Sequence, residues 1–360
     1  MNLFEEVRPG TNRYLSGAGI LKDLPEYLAE FGTGAIITGE KSWEAFKHYY
    51  GSDLGYPVYP YDGSASDEDG QRLAQEIGDT GVILGIGGGR VLDTAKLAAQ
   101  NLNRPLILIP TLVSNCAPAA PIAAVYEQQD HAFKKIEVFL QSPYITLADW
   151  DFLLATPREY LIAGIGDTLA KWYEINGITQ QMPKEEMTAS VMLGIASAKE
   201  CLKILNADSQ EALKSLEAKR VTPAFGRVSD TIMALAATVG GFAHKYGRVS
   251  GAHAVHNGLS LLSETHSVLH GDKVAYGILV QLSYNHEFEE ISRLMDLYQG
   301  IGLPTRLKEI NLGDAALKDL SLVAAFTAKE EESFNLIDPR VTAEKILDAM
   351  QRLEIFVASA

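Results

Sequence analysis

The stretch Gly81–Gln100, GVILGIGGGRVLDTAKLAAQ, decides the fold. Val82, Ile83, Leu84 and Ile86 form a short apolar run, the signature of a strand buried on both faces of a parallel sheet. Gly85, Gly87, Gly88 and Gly89 follow with almost no side-chain bulk, and Val91, Leu92, Ala95 and Ala98 then recur at helical spacing. Strand, glycine turn and helix in this order let a phosphate approach bare N–H groups at the positive end of a helix dipole. The common dinucleotide fingerprint fails, because Arg90 stands where its third glycine belongs and no acidic residue lies about twenty positions on. No Gly-Lys-Ser/Thr follows the turn, so the mononucleotide phosphate loop is excluded as well. The stretch is a pyrophosphate turn of another kind, or a tight turn with a purely structural role.

Outward from it, strands and helices alternate. Ala35–Thr38 reads as a strand ending at Gly39, Ser42–Tyr50 as a helix, and Tyr56–Tyr61, with two prolines, as an edge strand. Ser66–Ile77 is a polar helix with Leu73, Ala74 and Ile77 inward, and Leu106–Ile109 is a further buried strand. Ile122–Val125, Ile136–Phe139 and Ile145–Leu147 complete the strand-like segments. This predicts an open α/β sheet with its ligands along the carboxyl ends of the strands. At Thr156 the texture changes: Thr156-Pro-Arg-Glu159 is a capping-box sequence, and helical periodicity dominates beyond it. We expect an α/β domain over residues 1–155 and an all-helical domain over 156–360.

Composition narrows the function. The 360 residues carry a formal net charge of −15, which disfavours nucleic acid and anionic membranes as partners. Cys116 and Cys201 are the only cysteines, the N-terminal MNLFEEVRPG has no apolar core, and no run is long enough to span a bilayer. A cytoplasmic protein is expected.

Chemistry concentrates in the second half. Five of the eight histidines lie between His244 and His270. GAHAVHNGL places His253 and His256 on one helical face, and ETHSVLHGDK places His266 and His270 four apart. GIGDTLAKWYE sets Asp167 in a helix of small residues. Two imidazoles and one carboxylate suit a divalent metal with an open coordination position.

Five segments in order, GIGGGRVLDTAK, IPTLVSNCAPAAP, GIGDTLAKWYE, GAHAVHNGL and LHGDKVAYG, resemble the signatures of the glycerol-dehydrogenase-like branch of the metal-dependent (iron-containing) alcohol dehydrogenases. The resemblance runs from about Gly34 to about Pro304. It implies a Rossmann-like N-terminal domain, an all-α C-terminal domain as in dehydroquinate synthase, a metal in the cleft between them, and a homo-oligomer. It also implies a nicotinamide cofactor and a small-molecule substrate. Residue by residue, the metal ligands fall on Asp167, His253 and His270, and His256 on a proton-relay position. Gly87, Gly88, Gly89 and Arg90, with Asp93 in the same helix, fall on the pyrophosphate turn. Thr111, Ser114, Ile122 and Tyr126 fall on the nicotinamide side.

Departures from the pattern bear on substrate, metal and cofactor. Cys116 replaces an aspartate that in glycerol dehydrogenases meets a polyol hydroxyl, and Arg248 replaces a small residue. Both changes, with Lys171, resemble relatives acting on 2-hydroxy and 2-oxo acids. Exchanging an anion for a guanidinium suits a carboxylate-bearing substrate. Lys171 also occupies the position of a fourth, histidine ligand of the iron-using branch, and three ligands suit zinc. After Thr38, Gly39, Lys41 and Ser42 accommodate a 2′-phosphate while Glu40 opposes it, which leaves NAD and NADP open. The expectation is hydride transfer between NAD(P)H and a small 2-oxo acid; a glycerol or vicinal-diol dehydrogenase is the alternative. A dehydroquinate-synthase-like lyase would need more basic residues than Lys171, Lys245 and Arg248, and a binding protein without catalysis would not need Asp167, His253 and His270 intact.

Overall fold

The computed structural model of the chain describes residues 5–129, 132–313 and 317–359; the first four residues of the acidic N-terminal stretch lie outside them. The strands are β1 (Arg13–Gly17), β2 (Gly34–Thr38), β3 (Val58–Pro60), β4 (Val82–Gly87), β5 (Leu106–Pro110), β6 (Ile122–Tyr126), β7 (Phe133–Val138) and β8 (Ile145–Asp149). The helices among them are α1 (Leu24–Leu28), α2 (Glu40–Tyr50), α3 (Asp67–Ile77), α4 (Gly89–Leu102) and α5 (Trp150–Leu153). Six strands pair in parallel in the order β1-β8-β5-β4-β2-β3.

The apolar runs become strands because both faces of the sheet are covered. Leu84, Ile86, Ile107 and Ile109 join one core, with Phe46 of α2. Ile83, Leu106 and Leu108, at alternate positions, join the other, with Leu92 and Ala95 of α4. The proline-containing β3 lies at the sheet edge, as its sequence predicts. From β2 the chain moves outward to β3, and from β4 it moves the opposite way to β5. The carboxyl ends of β2 and β4 therefore flank a topological switch point, where open α/β sheets bind ligands.

Two features differ from the expected pattern. β1 was absent from it: RYLSG has no apolar run, and the strand forms by pairing with β8, Arg13 opposite Ile145. β6 and β7 leave the main sheet and form a separate antiparallel hairpin.

Beyond Asp149 the regular structure is helical: α6 (Arg158–Thr179), α7 (Ala189–Glu217), α8 (Pro223–Asp230), a π-helical turn Thr231–Leu235, α9 (Ala236–Ala243), α10 (Lys245–Arg248), α11 (Gly251–Leu259), α12 (His270–Tyr284), α13 (Phe288–Ile301), α14 (Leu317–Thr327) and α15 (Ala343–Ser359). The predicted capping box at Thr156 does not form. Pro157 is the N-cap of α6, without a side-chain cap, and the Thr156 hydroxyl accepts from Val113 N at 3.2 Å. The hydroxyl ties α6 to the loop after β5 in place of capping the helix. Apart from three buried charged residues on one face, α6 is largely apolar, and it is buried almost throughout, packed between α7, α11 and α12. Its closest neighbour is reached through glycines: a Cβ on Gly271 of α12 would lie 1.8 Å from Ala163 O, and one on Gly166 would lie 2.7 Å from Gly271 O.

Candidate metal centre and cofactor cleft

Asp167, Lys171 and Glu174 stand at i, i+4 and i+7 on one face of α6, and all three are buried. Charges buried in an apolar helix bundle need partners. Asp167 Oδ1 finds two: His253 Nε2 of α11 at 3.3 Å and His270 Nε2, the first residue of α12, at 3.2 Å. One ligand atom from each of the three residues lies within 4.8 Å of the others. The glycine contacts explain the convergence. Gly166 precedes Asp167, Gly271 follows His270, and the backbone contact between these glycines brings the two ligands together. On the other side a Cβ on Gly277 of α12 would lie 2.3 Å from the carbonyl oxygen of Ala252, the residue before His253.

Glu174 holds His253 from behind. Its carboxylate lies 3.0 and 2.9 Å from His253 Nδ1 and accepts the N–H groups of Ser250 at 2.7 Å and His253 at 3.0 Å. A carboxylate on Nδ1 fixes a proton there, so that Nε2, which faces Asp167, is the nitrogen left to bind a cation that displaces its proton. Burial would lower the His253 pKa, but Glu174 and Asp167 outweigh it and push it up to about 9. Burial would raise Asp167, but its hydrogen bonds to His253 and His270 hold its carboxyl well below the usual range. A concentration of negative charge with two directed imidazole nitrogens fits a divalent cation of zinc or iron character. Sequence reasoning passed over Glu174; its signal was a carboxylate seven residues after Asp167 in an otherwise apolar helix.

His256, the residue that the resemblance puts at a proton-relay position, meets His270. Its Nε2 lies 3.0 Å from His270 Nδ1, on the side of that ring away from Asp167, and its Nδ1 lies 3.0 Å from Asn257 Oδ1. His256 and Asp167 thus meet opposite nitrogens of the His270 ring. His266 is exposed, 3.2 Å from Ser260 O, and takes no part.

The glycine turn opens at the switch point. Gly87 ends β4, Gly88 is the N-cap of α4, and α4 has no side-chain cap, so its first-turn N–H groups are left for a ligand's oxygens. Gly89 is packed by the loop after β5: a Cβ there would lie 2.7 Å from Asn115 Nδ2. The same loop meets α6, since a Cβ on Gly164 would lie 3.0 Å from Ser114 Cα, one helical turn from Asp167. Thr111 N donates to Gly87 O at 3.0 Å and begins this loop. The loop thus joins the glycine turn to the part of α6 that carries Asp167. Arg90 lies over the Tyr126 ring, 4.7 Å from its centroid. Asp93 turns inward: it accepts from Lys96 Nζ at 2.9 Å and from Ala124 N at 3.2 Å, while Lys96 also donates to Ile122 O. The pair fastens the hairpin that carries Ile122 and Tyr126 onto α4.

At the end of β2, Gly39 is the N-cap of α2 and packs against the Tyr61 ring. The Ser42 hydroxyl accepts from Gly39 N at 3.0 Å and lies 3.1 Å from Thr38 Oγ1, so it serves the helix start. Lys41 is exposed at the same rim.

Arg248 is only 5% exposed, and burial lowers its pKa to about 10. A strained turn at His244, φ 43°, leads into α10 and delivers it. Lys171 Nζ donates to Arg248 O at 2.7 Å, so the lysine expected on the substrate holds the chain that carries the arginine. Burial pushes the Cys116 thiol up, and its side chain packs with Ala119, Ala120 and Ala237. It is a neutral packing residue and no thiolate nucleophile.

Over 355 residues the chain is 37% identical to hydroxycarboxylate dehydrogenase A of Escherichia coli, covering 97% of both chains. Residues 11–150 match the family model described as iron-containing alcohol dehydrogenase. The chain belongs to the iron-containing alcohol dehydrogenase family. It is a metal-dependent oxidoreductase acting on alcohol groups. A glycerol dehydrogenase of Thermotoga maritima is 31% identical, covering 96% of this chain and 95% of that one. The crystal structure of a probable glycerol dehydrogenase from Sinorhizobium meliloti has a TM-score of 0.86 at 27% identity, covering 99% of this chain and 100% of that one. No helix among the described residues is long and apolar enough to cross a membrane.

Proposed function

We propose that this dehydrogenase transfers hydride reversibly between a nicotinamide cofactor and C2 of a small 2-oxo/2-hydroxy acid, in a cleft between residues 1–155 and 156–360. The observation that carries the choice of substrate is Arg248, a guanidinium only 5% exposed whose carbonyl is held by Lys171, one helical turn from Asp167, five residues before His253. A desolvated guanidinium is stabilised by a carboxylate, which it grips with two parallel N–H donors. Asp167, His253 and His270 would hold the metal, zinc in this reading because Lys171 takes the place of a fourth ligand. When bound, the metal supplies polarisation of the substrate oxygen, and the nicotinamide gives or takes the hydride. The uncapped start of α4 orients the pyrophosphate, and the loop at Thr111–Ser114 sets the distance from cofactor to metal centre. Lys171 and Glu174 hold the 248–253 segment, so that Arg248 and His253 keep one spacing. Lys41 favours the 2′-phosphate of NADP and Glu40 opposes it, so both nucleotides are to be assayed.

The hydroxycarboxylate dehydrogenase of E. coli supports the acid; the glycerol dehydrogenases support a polyol as the second reading. Absorbance at 340 nm with zinc, NADH or NADPH, and 2-oxobutyrate, 2-oxoglutarate, oxaloacetate or dihydroxyacetone separates them. Turnover of the oxo acids, with Arg248→Ala raising KM for acids more than for the ketone, is expected. Turnover of dihydroxyacetone alone would reject the acid, and turnover of none of the four by zinc-loaded protein would reject both substrate readings.

A further inference from the structure

We infer that Glu332, Asn257 and His256 form a chain that fixes which nitrogen His270 offers to the metal, making His256 a positioning residue. The inference rests on the metal centre proposed above and extends it to a segment more than 150 residues from Asp167 in sequence. It begins at Glu332, whose Oε2 accepts from Asn257 Nδ2 at 3.1 Å. An ionised carboxylate only accepts, so the amide turns its NH₂ toward Glu332 and its oxygen toward His256. Asn257 Oδ1 lies 3.0 Å from His256 Nδ1, and an amide oxygen also only accepts, so Nδ1 carries the proton. In a neutral imidazole the lone pair then sits on Nε2, which lies 3.0 Å from His270 Nδ1. His270 then donates from Nδ1, and its Nε2, which lies 3.2 Å from Asp167 Oδ1, is free to offer its lone pair to a cation lodged between the two.

Two surroundings make the chain necessary. Asp167 alone would favour a proton on His270 Nε2, the tautomer that cannot ligate; the His256 lone pair draws it to the opposite nitrogen. The His270 side chain is 49% exposed, so packing alone does not hold its ring. Ser260 does not compete for the lone pair. Its hydroxyl proton goes to His256 O at 2.9 Å, and its oxygen accepts from Lys273 Nζ at 2.7 Å. Glu332 is itself fastened, because the next residue, Ser333, donates from Oγ to Ser250 O at 2.8 Å. The two ligating histidines are thus held in the same manner, His253 directly by Glu174 and His270 through His256.

Zinc affinity of the metal-stripped protein, measured by competition with a chromogenic chelator, tests the chain. His256→Leu should weaken binding by about 10–100-fold, the usual effect of losing a partner behind a metal ligand. His256→Gln, whose amide oxygen can accept from His270 Nδ1, should bind close to the wild-type affinity. Asn257→Leu should weaken binding in the same direction as His256→Leu and decides the matter if the latter fails to fold by circular dichroism. Wild-type affinity in His256→Leu or Asn257→Leu would overturn the inference, as would equal losses in the Gln and Leu variants at His256. Asp167→Asn separates the two levels: if it also keeps wild-type affinity, the metal centre itself is wrongly placed.

Discussion

His253 and Glu174 are joined at the ring nitrogen that faces away from Asp167: Nδ1 lies 2.9 Å from one carboxylate oxygen and 3.0 Å from the other. The same carboxylate receives two backbone N–H groups from the start of α11. Glu174→Gln should lower zinc affinity by about 10–100-fold. Glu174→Ala should also cost about 1–3 kcal/mol of stability, because buried donors lose their acceptor. Chelator competition and urea unfolding read the two effects separately.

Gly271 tests how the ligands are brought together. An added methyl would meet Ala163 O at 1.8 Å, a contact with backbone that no side-chain rotation relieves. Gly271→Ala should lower stability by about 1–3 kcal/mol or more, as overpacked interiors do. It should also part α12 from α6 and move His270 off Asp167, so zinc content should fall together with Tm.

Asp93 tests the hairpin. Its removal leaves Lys96, which is 3% exposed, without its ion-pair partner. Asp93→Ala should cost about 3–5 kcal/mol, the range for breaking one side of a buried pair. Asp93→Asn keeps an acceptor for Ala124 N and should cost less. Both should raise KM for the nicotinamide nucleotide, because Ile122 and Tyr126 are carried by the loosened strand.

Asp338 gives a pH dependence remote from the site. Burial would raise its pKa, but the Tyr284 hydroxyl at 2.6 Å, Arg340 N at 2.8 Å and Lys345 Nζ at 3.0 Å outweigh it and bring it down to about 2. An unfolded aspartate titrates near pH ~3.9. The stabilisation is therefore present above about pH 4 and is lost as the pH falls toward 2. The side chain is partly exposed, so after screening about 1 kcal/mol is expected. Asp338→Asn should unfold more readily than wild type at pH 6 and alike near pH 2, measured by urea titration at both pH values.

The sequence was most informative where local pattern and tertiary context agree. The runs at Val82–Ile86 and Leu106–Ile109 are buried on both faces, so their composition alone announces strands. The triad Asp167, His253 and His270 was legible because two histidine-bearing segments and one carboxylate in a helix of small residues have few other uses. Context overruled pattern elsewhere. Thr156 has a capping-box neighbourhood, yet its hydroxyl is taken by Val113 N. β1 exists only through pairing with β8, across more than 130 residues. His256 shares a face with His253, but only three dimensions reveal that it meets His270 from behind. The Lys171 amine donates to the Arg248 carbonyl, a partner that spacing along the chain does not reveal.

The central claim is that Asp167, His253 and His270 hold one divalent cation. Metal content per chain by inductively coupled plasma mass spectrometry, after zinc loading and gel filtration, tests it most directly. One equivalent in the wild type, falling well below one in Asp167→Asn, His253→Ala and His270→Ala while circular dichroism stays unchanged, is the predicted result. Undiminished zinc in folded Asp167→Asn would contradict it.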